Sequence, residues 1–310
     1  MSLRHLLADD DLSGDEQAMI LDLAARMKDE PFAVRTYEGP RSVAVLFDKP
    51  TLRTQSSFAA GIAELGGFPL VVDARLAGIG TRESVADVAR VLGRQAAAIV
   101  WRTFAQDDLA EMAAFAGVPV VNALTDDFHP CQILADLLTI REHAGALSGV
   151  TLTYTGDGAN NMANSYLLGG ALAGVHVRIA APEGFQPDPA IVQRAGRIAD
   201  TTGGSVAVTD SVQDAAVGAD VLVTDTWVSM GMEQDRTDPE AVFGPYTLDS
   251  ALLGRANSDA IVLHCLPAYR GKEISADVID GPASRVWDEA ENRRHVQKAV
   301  LVFLDEQAGW

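Results

Sequence analysis

The sequence has few cysteines, few basic residues and no long apolar run, and each shortage argues against a class of protein. Two cysteines in 310 residues, Cys131 and Cys265, do not make a disulfide framework and favour a reducing compartment. Only 24 Lys and Arg oppose 43 Asp and Glu, and a net charge of -19 repels nucleic acid and anionic lipid. No apolar run approaches the roughly 20 residues that cross a bilayer, and the N-terminal residues lack the apolar core of a signal peptide. We therefore expect a cytoplasmic protein that binds neither nucleic acid nor membrane.

Hydrophobic residues make up 48% of the chain, which is ample for a buried core, and the length favours two domains. Short apolar runs alternate with helical stretches, and this alternation restarts near residues 142–149. Such a pattern is typical of parallel sheets covered by helices on both faces. The predicted strands are residues 42–47, 70–72, 97–101, 118–121, 151–154, 175–180, 205–208, 221–224 and 260–264. The sequence thus predicts two doubly wound α/β domains, residues 1–145 and 146–310, with a C-terminal helix at about 289–306 that returns to the first domain.

Polar clusters follow six of the predicted strands. Ligands of open α/β sheets bind at the carboxyl ends of the strands, so these clusters are the candidate binding segments. They are residues 49–54, 102–103, 122–132, 156–161, 225–231 and 265–271.

Thr51-Leu52-Arg53-Thr54 leads from a strand into a helix. A helix N-terminus offers free N–H groups and partial positive charge, and with two hydroxyls and a guanidinium it would form a phosphate cradle. A helix cap beside a surface arginine is the alternative. Arg102, at a neighbouring strand end, would supply a second guanidinium, and Lys49 is expected at the rim.

His129 opens a helix at a third strand end, where its ring could polarise a carbonyl oxygen. The alternative is a capping histidine, with Gln132 facing solvent. No second metal-binding side chain stands at ligand spacing from His129, so a metal is not expected there.

The segment Gly156-Asp157-Gly158-Ala159-Asn160-Asn161 resembles a dinucleotide fingerprint at first sight. Asn161 replaces its third glycine, and the next strand does not end in an acidic residue, so NAD binding is not expected. Asn161 instead looks placed to hydrogen-bond a substrate.

Two further candidates lie near the ends of later strands. The Asp225 carboxylate suits an ammonium group, although it could also cap its own turn. Cys265 could act as a nucleophile only with a base nearby, and His264, its neighbour on a strand, should point to the opposite face. A polar contact or simple packing is therefore expected of Cys265.

Together, these segments resemble the ornithine carbamoyltransferase family over nearly the whole chain. The motifs that carry the resemblance, in family order, are Phe128-His129-Pro130-Cys131-Gln132, residues 156–161, Asp225-Thr226-Trp227-Val228-Ser229-Met230-Gly231, His264-Cys265-Leu266-Pro267 and Glu291-Asn292-Arg293. The resemblance implies carbamoyl phosphate and L-ornithine as substrates, no metal, no cofactor and a homotrimeric building block.

By position, the resemblance also assigns roles to individual residues. Those expected to hold carbamoyl phosphate are Thr51, Leu52, Arg53, Thr54, Arg102, His129, Pro130, Cys131 and Gln132. Those expected to hold ornithine are Asn161, Asp225, Ser229 and Met230, and those around the reacting carbonyl are Cys265, Leu266 and Arg293. Arg53, Arg102, His129, Cys265 and Arg293 would be the catalytic residues.

The chain departs from the family pattern at two places. The family's phosphate loop usually reads Ser-Thr-Arg-Thr-Arg, whereas residues 51–55 read Thr-Leu-Arg-Thr-Gln. Gly78 stands where the family usually has a glutamine that reaches a neighbouring subunit's site. Three alternatives therefore stay open: a carbamoyltransferase for another amine such as putrescine or an acylated ornithine, a non-catalytic paralogue, and a nicotinamide dehydrogenase.

Overall fold

Two parallel sheets organise the chain, as the alternation of strands and helices predicts. The computed structural model describes residues 3–49, 51–227 and 238–309. The chain divides into a first unit, Met1–Ala135 with Glu291–Trp310, and a second unit, Asp136–Ala290. The fold class expected from the sequence, two α/β domains, is confirmed.

The first unit contains a four-stranded sheet of order β2-β1-β3-β4. Its strands are β1 (Ser42–Phe47), β2 (Phe68–Asp73), β3 (Ala98–Arg102) and β4 (Val120–Leu124). All its strand pairs are parallel, and Arg102, the last residue of β3, lies beside Phe47 and Leu124 at the ends of the neighbouring strands. Three strands therefore end together, and the segments that follow them start from one edge of the sheet.

The α-helices that lie wholly within this unit are α1 (Gly14–Asp29), α2 (Arg53–Glu64), α3 (Ala74–Ala77), α4 (Val85–Leu92) and α5 (Gln106–Ala116). Two longer helices extend over the boundary between the units: α6 (Pro130–Ala144) begins in the first unit, and α13 (Val286–Ala308) ends in it. β3 is buried along its whole length, and its first four residues are all apolar, as is typical of a parallel strand covered on both faces.

The second unit contains a five-stranded parallel sheet of order β7-β6-β5-β8-β9. Its strands are β5 (Thr151–Thr155), β6 (His176–Ala180), β7 (Ser205–Thr209), β8 (Val221–Thr224) and β9 (Ile261–Leu263). Its helices are α7 (Asn161–Ser165), which continues as a π-helix (Tyr166–Gly170), α8 (Pro189–Thr202), α9 (Val212–Ala216), α10 (Pro239–Phe243), α11 (Ser250–Leu253) and α12 (Ala276–Ile279). In the described part of the chain, no helix combines the length and the apolar character needed to cross a membrane.

Residues 13–16 fit the sequence pattern of a capping box, which predicts a helix from there to about residue 28, and α1 is that helix. Ser13 caps α1 through a capping box, because its hydroxyl accepts from the Glu16 amide at 3.2 Å while the Glu16 carboxylate accepts from the Ser13 amide at 2.8 Å. Apolar periodicity predicts a helix over residues 57–65, whereas α2 starts four residues earlier, at Arg53. The first turn of α2 is polar, so apolar periodicity does not reveal it, and the Thr51 hydroxyl accepts from the Thr54 amide at 3.3 Å there.

Candidate functional site

A buried arginine of α13 joins two strand-end segments of the first unit. The Arg293 guanidinium donates from Nη2 to the Thr54 hydroxyl at 2.8 Å and from Nη1 to the side-chain oxygen of Gln132. All three side chains are buried, so the expected alternative of a solvent-facing Gln132 is wrong. A charge-assisted bond in a buried setting holds Arg293 in one orientation. The segment after β1, the segment after β4 and the C-terminal helix thus meet at one point.

Three more residues from the sequence prediction belong to the same edge of this sheet. Arg53 is the first residue of α2 and is half-buried, Arg102 is the last residue of β3 and is buried, and His129 directly precedes α6 and is buried. Burial, assisted by Arg293, Arg102, Lys49 and Arg53, holds the pKa of His129 well below its ordinary value. A neutral imidazole among these cations can still donate one N–H, and it leaves the net positive charge for an anionic ligand.

This pKa shift predicts how the stability of the protein depends on pH. Because the unfolded chain binds a proton at His129 at a higher pH than the folded chain, the stabilising contribution is complete above about pH 6.5. It is lost as the pH falls below 6.5 towards the lower folded-state pKa. We expect the free energy of unfolding to decrease below pH 6.5, down to pH 5, by up to about 1.4 kcal/mol more per pH unit in the wild type than in His129→Gln. Denaturant titrations at several pH values measure this, and equal slopes would contradict a neutral His129.

The other residues predicted to hold carbamoyl phosphate are Leu52, before α2, and Pro130 and Cys131, in α6. Leu52 precedes α2 with 77% of its surface exposed. Pro130 is the first residue of α6. The Cys131 thiol is buried and donates to the Asn122 carbonyl at 3.5 Å, and burial raises its pKa to about 12. Cys131 is therefore a packed thiol rather than a nucleophile.

Lys49 is not at the rim, where the sequence analysis places it. Its side chain is only 8% exposed, its ammonium donates to the Asp126 carboxylate, and it lies 4.4 Å from the centroid of the Phe104 ring. Sequence reasoning also missed Asp126 as a partner, although it lies within the cluster 122–132. The expectation failed because an ion pair between residues 77 positions apart leaves no periodic signal.

In the second unit, Asp225 and Cys265 are brought together at the ends of neighbouring strands. The Cys265 thiol donates to the Asp225 carboxylate at 3.2 Å, and the same carboxylate oxygen accepts from the Thr226 amide at 2.7 Å. Burial, Asp225 and Glu289 raise the pKa of Cys265 well above its ordinary value, so the thiol is protonated. The Cys265 thiol therefore orients the Asp225 carboxylate. Because the thiol keeps its proton, Cys265 is disfavoured as a nucleophile.

The expected orientation of His264, opposite to Cys265, is wrong. Asp225, His264 and Cys265 place ligand-type atoms within 4.8 Å of one another. β9 ends at Leu263, so the alternation of strand side chains no longer applies to these residues. The three side chains could hold a cation. Both ring nitrogens of His264 already have partners, since Nε2 lies 3.2 Å from the Glu273 carboxylate and Nδ1 accepts from the Leu266 amide at 2.9 Å. A metal at His264 would have to displace one of them.

Leu266 itself adopts a φ of 59°, in the left-handed region that non-glycine residues rarely occupy. Such conformations cost about 1–3 kcal/mol and concentrate at functional sites, where the surroundings enforce them. The Leu266 amide donates a hydrogen bond to the His264 ring, which fixes this conformation. Both residues belong to the motif at residues 264–267 that the sequence analysis identifies.

Close packing explains Gly158 in the segment after β5, residues 156–161. A Cβ on Gly158 would lie 2.8 Å from the Ala181 Cβ and 2.9 Å from the Phe185 carbonyl oxygen, so only glycine fits. Asn160 caps α7, because its side-chain oxygen accepts from the Ala163 amide at 2.9 Å while its amide donates to the Tyr154 hydroxyl at 3.0 Å. Asn161 follows as the half-buried first residue of α7. Ser229 and Met230 lie outside the described residues.

The comparisons with known proteins agree with one another. Residues 4–142 match the family model "Aspartate/ornithine carbamoyltransferase, carbamoyl-P binding domain", and residues 148–304 match "Aspartate/ornithine carbamoyltransferase, Asp/Orn binding domain". The chain is 59% identical over 309 residues to an ornithine carbamoyltransferase of Renibacterium salmoninarum, covering 98% of this chain and 99% of the relative. It is 59% identical over 305 residues to that of Mycobacterium ulcerans, with 98% and 99% covered.

Solved structures give the same result. The ornithine carbamoyltransferase of Pyrococcus furiosus superposes with a TM-score of 0.92 at 40% identity, covering 97% of this chain and 96% of the other. That of Gloeobacter violaceus gives a TM-score of 0.88 at 46% identity, with 97% and 98% covered. Fold, strand-end residues and relatives together define an enzyme that transfers carbamoyl groups. The chain belongs to the aspartate/ornithine carbamoyltransferase family.

Proposed function

We propose that this enzyme transfers the carbamoyl group of carbamoyl phosphate to the δ-amine of L-ornithine, giving L-citrulline and phosphate. One observation carries the proposal: a chain of net charge -19 gathers Arg53, Arg102 and Arg293 around a neutral His129 at one sheet edge. Such local positive charge, against the overall field of the protein, suits a small dianion. Relatives that are named ornithine carbamoyltransferase support the same reaction.

The first unit would bind carbamoyl phosphate. Arg53 and Arg102, with the N-terminus of α2, would stabilise charge on the phosphate as it leaves. His129, Arg293 and Thr54 would donate to the oxygen that becomes negative in the tetrahedral intermediate. Donors of this kind contribute about 3–4 kcal/mol each in other enzymes. The bonds of Arg293 to Thr54 and Gln132 pre-orient it for this role, so little reorganisation is needed during the reaction.

The second unit would bind ornithine. Asp225 would pair with the α-ammonium group, and Asn161, Ser229 and Met230 would contact the rest of the amino acid. Cys265 and Leu266 would lie around the reacting carbonyl. Since the Cys265 thiol is protonated, the neutral δ-amine is the nucleophile in this scheme, and the departing phosphate would take its proton.

Citrulline production from carbamoyl phosphate and L-ornithine tests the proposal directly. Putrescine, N-acetylornithine and L-aspartate, offered at the same concentration, test the acceptor. We expect turnover with ornithine at least about 100-fold above that with the other amines, because N-acetylornithine lacks the α-ammonium group, putrescine lacks the α-carboxylate and L-aspartate lacks the δ-amine. Preferential turnover of another amine would reassign the acceptor, and binding of carbamoyl phosphate without any turnover would indicate a non-catalytic relative.

A homotrimer, a cytoplasmic location and a role in arginine biosynthesis form part of the same proposal. β2 lies at the edge of its sheet and exposes Phe68 and Val71, and Leu76 nearby is 84% exposed. Exposed apolar side chains at a sheet edge support contact with another subunit. Sedimentation analysis of the native protein measures the number of subunits.

A further inference from the structure

Arg75 lies beside the segment that leads into α2, although it comes from a different part of the chain. Parallel pairing of β1 with β2 sets Phe47 opposite Asp73, so the residues after these two strands start side by side. One cavity of about 270 Å³ is lined by residues of both segments, Thr51 and Gln55 after β1 and Asp73 and Arg75 after β2. A guanidinium therefore shares a cavity with the loop that is proposed to hold the phosphate.

The phosphate loop itself lacks a charge at residue 55. The family's loop usually ends in arginine, whereas Gln55 is neutral and exposed. Arg75 brings a guanidinium to the same cavity from α3 instead of α2. Lys49 also lines the cavity, but its buried ammonium already donates to Asp126. Each local cation matters for an anionic ligand, because the net charge of the chain is -19.

The ion pair of Arg75 with Asp73 leaves the guanidinium free to turn to a ligand. The guanidinium donates to the Asp73 carboxylate from Nε at 3.4 Å and from Nη2 at 3.2 Å, and both side chains are exposed, 58% and 38%. Exposed ion pairs contribute little to stability. Asp73 is also the N-cap of α3, and its Oδ1 accepts from the Arg75 amide at 3.1 Å and from the Leu76 amide at 3.3 Å. The carboxylate therefore keeps two backbone partners when the guanidinium leaves it.

The sheet order places the phosphate loop between two arginine-bearing segments. The loop follows β1, whose neighbours are β2, followed by Arg75, and β3, which ends in Arg102. Arg75 and Arg102 would thus approach an anion at the N-terminus of α2 from opposite sides. A guanidinium forms charge-assisted, often bidentate hydrogen bonds with phosphate oxygens, and a phosphate dianion attracts it more strongly than one exposed carboxylate does.

We propose that Arg75 binds the phosphate group of carbamoyl phosphate within its own subunit: its guanidinium turns from Asp73 to the anion held at residues 51–55 and supplies the charge that Gln55 lacks. This inference rests on the proposed function. It makes Arg75 a binding residue for the phosphate half of the reaction and gives it no contact with the amine acceptor.

A charge swap tests this role in the full-length enzyme. Arg75→Gln removes the guanidinium, and Gln55→Arg added to it returns one to the same cavity. Calorimetry measures the Kd for carbamoyl phosphate and for inorganic phosphate, and steady-state kinetics measure the KM for ornithine. We expect Arg75→Gln to raise both Kd values about 10-fold or more, as for a lost hydrogen bond to a charged group, with Tm and the KM for ornithine unchanged. The swap variant should return both Kd values to within about threefold of the wild type.

Three control variants separate a local contact from an effect of overall charge. Arg90→Gln removes the same charge from an exposed pair with Asp87 in the same unit and should leave both Kd values unchanged. Gln95→Arg, at an exposed position that does not line the cavity, restores the net charge of Arg75→Gln and should not restore its affinity. Asp73→Asn releases the guanidinium and should bind both anions at least as tightly as the wild type does.

Three results would each show that Arg75 does not bind the phosphate. Arg75→Gln could keep both Kd values within about threefold of the wild type, the swap variant could stay as weak as Arg75→Gln, or Asp73→Asn could weaken binding as much as Arg75→Gln does. A wild type that binds both anions through Arg75 but forms no citrulline would support the role of Arg75 and refute the proposed function alone. A wild type that binds neither anion would refute both.

Discussion

Replacing Arg53 by alanine is expected to reduce kcat/KM for citrulline formation by about 100- to 1000-fold and to leave the fold intact. Arg53 begins α2, is half-buried and contributes nothing to the buried core, so its loss should not change Tm. Its charge is among those that lower the pKa of His129, which places it close enough to act on the same ligand. The lost interaction is strongest when charge builds up on the leaving phosphate, so kcat should fall more than ornithine binding weakens.

Arg90→Ala provides the matched control. It removes the same charge from the first unit, at an exposed pair with Asp87 on α4. Activity should stay within about twofold of the wild type, because exposed ion pairs contribute little. Near-normal activity of Arg53→Ala would overturn the assignment of this loop to the phosphate.

Asp225→Asn is expected to raise the KM for ornithine by about 100-fold or more, since loss of one charged partner from a polar contact costs about 2–5 kcal/mol. Asparagine preserves the shape and the bond from the Thr226 amide, so the local turn should survive. Only the negative charge that attracts an ammonium group is removed. The KM for carbamoyl phosphate should change less than threefold, because its proposed contacts lie in the other unit.

Two further variants make this result specific. Cys265→Ser keeps a donor to Asp225 and should raise the KM for ornithine by no more than about tenfold. Asp280→Asn removes a charge from an exposed pair with Arg270 in the same unit and should have no effect. A change in carbamoyl phosphate binding rather than ornithine binding in Asp225→Asn would reassign the carboxylate.

Much of the fold can be predicted from the sequence, because buried parallel strands appear as continuous apolar runs between helical stretches. Strand β1 and strand β8 are predicted residue by residue, and the capping box of α1 is found at Ser13. The ends of other elements differ from the prediction by a few residues; β2, for example, begins two residues before the predicted strand. The C-terminal helix is longer than its strong apolar pattern suggests, and it spans Val286–Ala308.

The contacts within the candidate site are harder to predict from the sequence, because they join residues that are distant in sequence. The pairing of Lys49 with Asp126 and of Arg293 with Gln132 spans 77 and 161 positions respectively. The position of His264 relative to Cys265 depends on where β9 ends, and a shift of one residue decides whether strand alternation applies. Individual motifs therefore indicate which residues matter, whereas their partners follow only from the tertiary structure.

The hydrogen bond between Arg293 and Thr54 has a consequence for ligand binding by the nascent chain during its synthesis on the ribosome. Synthesis proceeds from the N-terminus and domains tend to fold in that order, so the sheet of the first unit is complete long before residue 293 is added. A nascent chain of that length would have Arg53, Arg102 and His129 but no guanidinium from α13 to orient Thr54 and Gln132. Full stabilisation of the emerging protein by its anionic substrate is therefore expected only after residue 293 has been added, and a chain that terminates earlier would gain less.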